Sequence, residues 1–166
     1  MSNAVAPLAI RRHDGGPCPG SVTVVLDQPG KPVVVLDHSL IQRIEATLRL
    51  VPRDATGLVL ASSSPRAFVA GADLRSIREL GDDQLRRYLA YGSQVFGMLA
   101  AFPFPTVAAI NGAALGGGLE IAMHCDALIA LSPQPRDGQP GKPYPVGLPE
   151  CGLDRKSTRL NSSHAN

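Results

Sequence analysis

Residues 106–126 read TVAAINGAALGGGLEIAMHCD, and this stretch decides the fold. Its first six residues, TVAAIN, are a short apolar run containing β-branched side chains, the mark of a buried strand. The segment GAALGGG from Gly112 to Gly118 is built of small residues, over which the backbone can come close to a neighbour or a ligand. LEIAMHCD then reads as a helix, and ALIAL at 127–131 is strand-like again. A strand, a glycine run and a helix start in succession aim free backbone amides at one point, with the partial positive charge of the helix end behind them. Such a point stabilises an anion.

Working outward, AFVAGADLR at 67–75 repeats the theme of a strand end followed by small residues. Upstream, VTVVLD (22–27) and VVVL (33–36) are β-branched runs split by the turn Gln28-Pro29-Gly30-Lys31-Pro32. Asp37 or Ser39 can cap a helix in which Leu40, Ile41, Ile44, Leu48 and Val51 recur at helical spacing until Pro52. GLVLAS (57–62) has the look of a buried strand. A short helix is expected near 73–80. A longer one is expected near 82–102, opened by Asp82 and Asp83 and stopped before Pro103. The alternation predicts an α/β fold with buried parallel strands. No internal repeat is visible. Residues 132–152, with six Pro and four Gly, form a long irregular segment.

Composition narrows the function classes. The chain has 166 residues, enough for one domain, and 44% of them are hydrophobic. Aromatics make up 4% and Trp is absent, so the core is expected to be aliphatic. Residues 4–10 (AVAPLAI) are too short for a signal sequence, and Arg11 and Arg12 follow them instead of preceding them. No apolar run approaches the roughly 20 residues a membrane helix needs. Cys18, Cys125 and Cys151 are odd in number and widely spaced, which fits a reducing cytoplasm better than a disulfide scaffold. The formal charge is +2, and residues 154–166 hold three of the sixteen basic and one of the fourteen acidic residues. The remaining thirteen of each cancel, so the body of the chain gives no support to a nucleic-acid partner. His124 and Cys125 are adjacent and face different ways on a helix, so no metal site is expected.

The kind of anion follows from what flanks the glycines. A phosphate-binding P-loop needs Lys and then Ser or Thr, whereas Leu119 and Glu120 stand here. A dinucleotide loop needs G-x-G-x-x-G, whereas the spacing here is G-x-x-x-G-G-G. Glu120 in the first helical turn would repel a phosphate. It suits a transient enolate, whose chemistry wants a base beside the anion hole. Close strand–helix packing remains an alternative use for the glycines alone.

The combined pattern is more specific. F-V-A-G-A-D-L, then P-T-V-A-A-I-N-G-A-A-L-G-G-G-L-E-I-A-M-H-C-D, then G-L-P-E resembles the enoyl-CoA hydratase/isomerase (crotonase) family over roughly residues 20–153. The resemblance implies a spiral of ββα repeats, incomplete here at its C-terminus, and homotrimers or dimers of trimers for the full-length protein. It implies acyl-CoA thioester substrates, with coenzyme A as part of the substrate and no tightly bound cofactor. By position, the two amides that hold a thioester enolate belong to Ala72 and Gly117. Glu120 and Glu150 match the catalytic glutamates of the hydratases. Ala70 falls where the family backbone meets the CoA adenine, and Arg66 and Arg75 where lysines often lie near the CoA phosphates. Gly71, Asp73 and Gly116 complete the two loops and are counted with Arg66, Ala70 and Arg75 as CoA-binding by the same resemblance.

Three departures accompany the resemblance. The segment between Leu131 and Tyr144 lengthens the gap from Glu120 to Glu150. The C-terminal helices that complete the family's acyl pocket and trimer contacts are absent, which would leave apolar surface exposed. Finally, DRKSTRLNSSHAN at 154–166 loses all periodicity, and Asp154 to His164 match, residue for residue, one translated frame of a widely used sequencing adapter. The expected organisation is therefore a flexible leader at 1–20, a crotonase-like core at 21–153 and a non-native tail at 154–166. Hydration or double-bond isomerisation of an enoyl-CoA is the leading expectation. Decarboxylation, dehalogenation, thioester hydrolysis, ring-forming synthesis and an inert fragment that at most binds CoA are the alternatives, together with a nucleotide-binding module that the loop chemistry disfavours.

Overall fold

The computed structural model of the chain describes residues 5–73, 77–133, 135, 141 and 143–149. A five-stranded sheet carries the fold. Strand β2 (Ser21–Leu26) buries Val22, Val24 and Leu26 completely, while its alternate residues are half-buried. Strands β3 (Leu58–Ser62), β5 (Thr106–Ile110) and β7 (Ala127–Ala130) add to it in parallel, in the order β2-β3-β5-β7. Strand β1 (Ala9–His13) pairs antiparallel with β2 and closes the other edge, with Ile10 opposite Val24. The leader expected at 1–20 is therefore corrected: residues 9–13 are a sheet strand, tied to β2 by ladder bonds, and Leu8 is buried beside Thr47, whose hydroxyl accepts its N–H at 2.7 Å.

A second, smaller parallel sheet holds β4 (Ala67–Val69), β6 (Ala113–Leu115) and β8 (Val146–Gly147) in that order. Helix α1 (His38–Leu48) is capped by Asp37, which accepts the Leu40 N–H at 2.8 Å, and it buries Leu40, Ile41, Ile44 and Leu48. Helix α2 (Asp82–Ala100) buries Gly92, Val95, Phe96 and Leu99, and helix α3 (Gly117–Met123) buries Gly118, Ile121 and Ala122. Of the short helix expected near 73–80, Ile77 and Arg78 are helical, and residues 74–76 lie outside the described ones.

A structural repeat emerges that the sequence hides. In β3–β4–α2 and in β5–β6–α3, the first strand enters the large sheet, the second enters the small sheet, and a helix follows. β7 and β8 begin another such unit. The first unit is reduced: β2 is followed by Leu36, which makes one parallel bridge to Ala72, and then by α1. The strand expected at 33–36 is thus a single bridge. Pro32 precedes it, and among the described residues the segment meets the chain leaving β4 only through the Val34 carbonyl and the Leu36 bridge. This ββα spiral is the expected crotonase-like fold, in part.

The core is aliphatic as composition predicted, with Phe68 and Phe96 as its buried aromatics. One expectation of buried strands fails: β7 is exposed along its length, Leu128 and Ile129 included. No helix of the described residues is long and apolar enough to cross a membrane.

Candidate active site

The small sheet gathers the candidate residues. β4, β6 and β8 are parallel, so the segments leaving their C-terminal ends start at one edge of the sheet. Those segments are Ala70-Gly71-Ala72, Gly116-Gly117 and Leu148-Pro149. Ligands of open α/β sheets sit at such an edge for the same reason.

Ala72 is set by its bridge to Leu36. The Leu36 N–H donates to the Gly71 carbonyl at 2.8 Å, and the Asp73 N–H donates to the Leu36 carbonyl at 2.9 Å. Both bonds use residues flanking Ala72, so the Ala72 N–H faces away from Leu36. Gly71, at φ +105°, makes the preceding turn, which side chains rarely adopt. Upstream, the Ala70 N–H donates to the Val34 carbonyl at 2.8 Å.

Gly117 opens α3, and the first amides of a helix have no partner within it. Gly116 precedes it at φ +50°. The Gly116 N–H donates to Gly147 at 2.9 Å, and its carbonyl accepts from Leu119 and Glu120 at 2.8 and 2.9 Å. A β-carbon built on Gly117 would lie 2.9 Å from Leu36 Cδ1 and 3.7 Å from Glu120 Oε2. Leu36 therefore touches both turns, through its backbone at Ala72 and its side chain at Gly117.

Glu120 is exposed, with its carboxylate beside Gly117. One turn on, His124 donates from Nδ1 to the Glu120 carbonyl at 2.9 Å and rests edge-on against Phe96. Behind α3, Asp126 accepts from the Thr106 N–H and hydroxyl at 2.8 and 3.0 Å, which holds its carboxyl below the usual range, the backbone bond foremost. The neighbouring Cys125 thiol is pushed up to about 11, chiefly by burial. That fits a small hydrophobe. Among the described residues, no cluster of His, Cys, Asp and Glu could hold a metal ion.

Arg66 is exposed at the start of β4, and its carbonyl accepts the Ala113 N–H at 3.3 Å. A hollow of about 300 Å³ opens next to this segment, lined by 27–34 and Ser63, Ser64 and Pro65. At its rim Lys31 pairs with Asp37 at 2.7 Å. Ala70, Gly71, Ala72, Asp73, Gly116, Gly117 and Glu120 thus share one edge, with Arg66 at the opposite end of β4. Arg75 and Glu150 lie outside the described residues, although Gly147, three residues before Glu150, is bonded to Gly116.

Two residues beside the site were not singled out by the sequence. Leu36 reads as one more apolar residue of VVVL. Tyr88, on a largely exposed stretch of α2, brings its hydroxyl to 3.4 Å from the Leu36 carbonyl. Spacing to a helix cap could have suggested the first; only tertiary structure shows the second.

The arrangement offers two outward amides and a carboxylate next to one of them, with a hollow beside Arg66 at the other end of β4. The chain matches the enoyl-CoA hydratase/isomerase family model over residues 20–159, a match that runs past Leu153. It is 36% identical over 146 residues to the short-chain-enoyl-CoA hydratase of Clostridium acetobutylicum, covering 85% of this chain and 54% of that protein. It is 39% identical over 134 residues to the fatty acid oxidation complex subunit alpha of Vibrio cholerae, covering 78% of this chain and 18% of that one. The crystal structure of an enoyl-CoA hydratase from Bacillus anthracis superposes with a TM-score of 0.71 at 26% identity, over 88% of this chain and 52% of that one. The chain spans about half the length of the hydratases it matches. From its first sheet to the glycine-rich turn, the chain belongs to the enoyl-CoA hydratase/isomerase family.

Proposed function

We propose that this chain carries the oxyanion hole and first glutamate of an enzyme that adds water to an α,β-unsaturated acyl-CoA. The observation that carries the proposal is the meeting of the Ala72 and Gly117 turns on Leu36, with the Glu120 carboxylate beside Gly117. Two amides that point out of such turns suit a thioester oxygen as it becomes an enolate, and losing one donor typically costs about 3–4 kcal/mol of barrier.

In the proposed reaction, water oxygen bonds to the β-carbon and one glutamate takes the proton released. The π electrons move through the α-carbon to the thioester oxygen, held by the two amides. The second glutamate then gives a proton to the α-carbon and the carbonyl reforms. Glu120 and Glu150 are the proposed pair. With one of them idle, the same hole serves double-bond isomerisation. Coenzyme A enters as part of the substrate. Its adenine is assigned to Ala70 and the neighbouring hollow, and its phosphates to Arg66 and Arg75, with Gly71, Asp73 and Gly116 shaping the loops. The proposed unit is a core that starts with β1 and runs to 153, extended to its relatives' length and assembled as a trimer or dimer of trimers, with 154–166 foreign to it.

A second reading has its own support: the 166-residue chain alone binds the thioester without turning it over. Ile129 and Leu131 are exposed and line an open hollow of about 530 Å³, with exposed Leu128 adjacent in sequence, a surface a complete enzyme would cover. Crotonyl-CoA hydration by the extended protein tests the first reading. Absence of turnover, or no loss on Glu120→Gln, defeats it. Crotonyl-CoA binding by the short chain without turnover supports the second.

A further inference from the structure

We propose that Tyr88 is a positioning residue for the Ala72 amide, acting through Leu36. This rests on the reading of Ala72 as an oxyanion donor and adds a residue from another element to it.

The Leu36 carbonyl serves two donors. It accepts the Asp73 N–H at 2.9 Å, the bond that fixes the chain on the far side of Ala72. It also accepts the Tyr88 hydroxyl at 3.4 Å, across 52 positions of sequence. The Leu36 side chain meanwhile packs on Gly117. A shift of the Leu36 peptide would therefore move both amides, and Tyr88 is the α2 side chain that reaches it.

The surroundings keep the phenol in its donor form. Burial raises its pKa, and the nearby Asp37 and Asp73 add to the rise. The His38 ring lies 6.3 Å from the Tyr88 ring and 5.6 Å from that of Tyr91, so the phenol is flanked by an aromatic neighbour where α1 meets α2. Tyr91 in turn donates to Glu45 at 2.7 Å, fastening α2 to α1 one turn on. Tyr91 thus fastens one helix to the other through a side chain. The Tyr88 hydroxyl is directed to the one carbonyl shared with the Ala72 bridge.

The test compares the parent with Tyr88→Phe, both extended to the length of their relatives. It uses crotonyl-CoA turnover and a push–pull aryl-acryloyl-CoA whose absorption moves to the red when its thioester carbonyl is polarised. Loss of one neutral hydrogen bond predicts a fall in kcat of about three- to tenfold. It also predicts a KM within about twofold, a smaller red shift and a fall in melting temperature of no more than a few degrees. Tyr88→Leu, which also removes the ring, should add a loss of melting temperature. Equal kcat and equal red shift in parent and Tyr88→Phe would overturn the proposal. So would unfolding of Tyr88→Phe, or a kcat loss that follows melting temperature with the red shift intact, since either makes Tyr88 structural support. A parent with neither turnover nor red shift defeats the hydratase reading itself, and the role of Tyr88 falls with it.

Discussion

The Ala72 turn and the Gly117 turn use the same backbone device and are held in different ways. In each, a glycine at positive φ, Gly71 at +105° or Gly116 at +50°, comes just before the outward amide. The Gly117 turn is pinned by packing. β6 is flanked by β4 and β8, and a β-carbon on Gly118 would lie 2.4 Å from the Val69 carbonyl oxygen. The Ala72 turn is pinned by hydrogen bonds to Leu36, which forms one bridge instead of a strand. Close packing at Gly118 tolerates no added atom, whereas a lone bridge can yield. The first ββα unit, reduced to Leu36, thus leaves one half of the site more adjustable than the other.

The largest effect that would expose this difference is expected from Gly118→Ala. The new methyl meets backbone at 2.4 Å and the Val69 β-carbon at 2.7 Å, so β4 and α3 must separate. A loss of about 3 kcal/mol in chemical unfolding is expected, the upper end for overpacking. Turnover by the extended protein should vanish. Next comes Glu120→Gln. It should lower kcat by about 10²- to 10⁴-fold, as for loss of a general acid or base. Its exposed side chain should leave the unfolding free energy within about 0.5 kcal/mol. Smaller again is the contrast between Gly71→Ala and Gly117→Ala. The first forces Ala to φ +105° and should cost about 1–3 kcal/mol. The second meets only the movable end of Leu36 and should cost about 1 kcal/mol, the price of an off-rotamer side chain. If Gly117→Ala proved as damaging as Gly118→Ala, Leu36 would be as fixed as backbone and the comparison would break.

What the sequence makes legible follows the same division. β5, the glycine turn and α3 are local: strand, turn and helix signals lie within 21 consecutive residues, so the turn and Glu120 at the helix start can be read there, while likeness to a known motif singles out Gly117 as a candidate. The Ala72 loop is legible only by its likeness to a known motif, because its bridge partner lies 36 positions upstream in an unremarkable apolar run. The ββα repeat is legible by family likeness and not as an internal sequence repeat, because the units share geometry without residues: the second strand is three residues long in β4 and β6 and is a single bridge at Leu36. β1 escapes because its residues, AIRRH, are mostly exposed and charged, and only pairing with β2 makes them a strand. Tyr88 has an ordinary helical position, and its role depends on which carbonyl the fold brings to its hydroxyl.

The smallest effect concerns the anchor behind the Gly117 turn. Asp126 joins the end of α3 to the start of β5 through the Thr106 amide and hydroxyl, and its own N–H donates to that hydroxyl at 3.0 Å. These bonds favour the carboxylate, so its folded pKa lies below the unfolded one. A depressed carboxyl contributes stability above the unfolded pKa and loses it as pH falls through the folded one. Asp126→Asn should therefore lower the melting temperature modestly near about pH 7, where the parent is ionised. The gap should shrink as both are acidified below about pH 4, where the parent loses the same contribution. Hydration at neutral pH should change by less than the effect of Tyr88→Phe, because Gly118 packing on Val69 holds the turn when the anchor loosens. A gap that stays constant with pH would assign the Thr106 bonds no dependence on charge. A loss of turnover larger than that of Tyr88→Phe would mean that the Gly117 turn, too, is positioned by hydrogen bonds and not by packing.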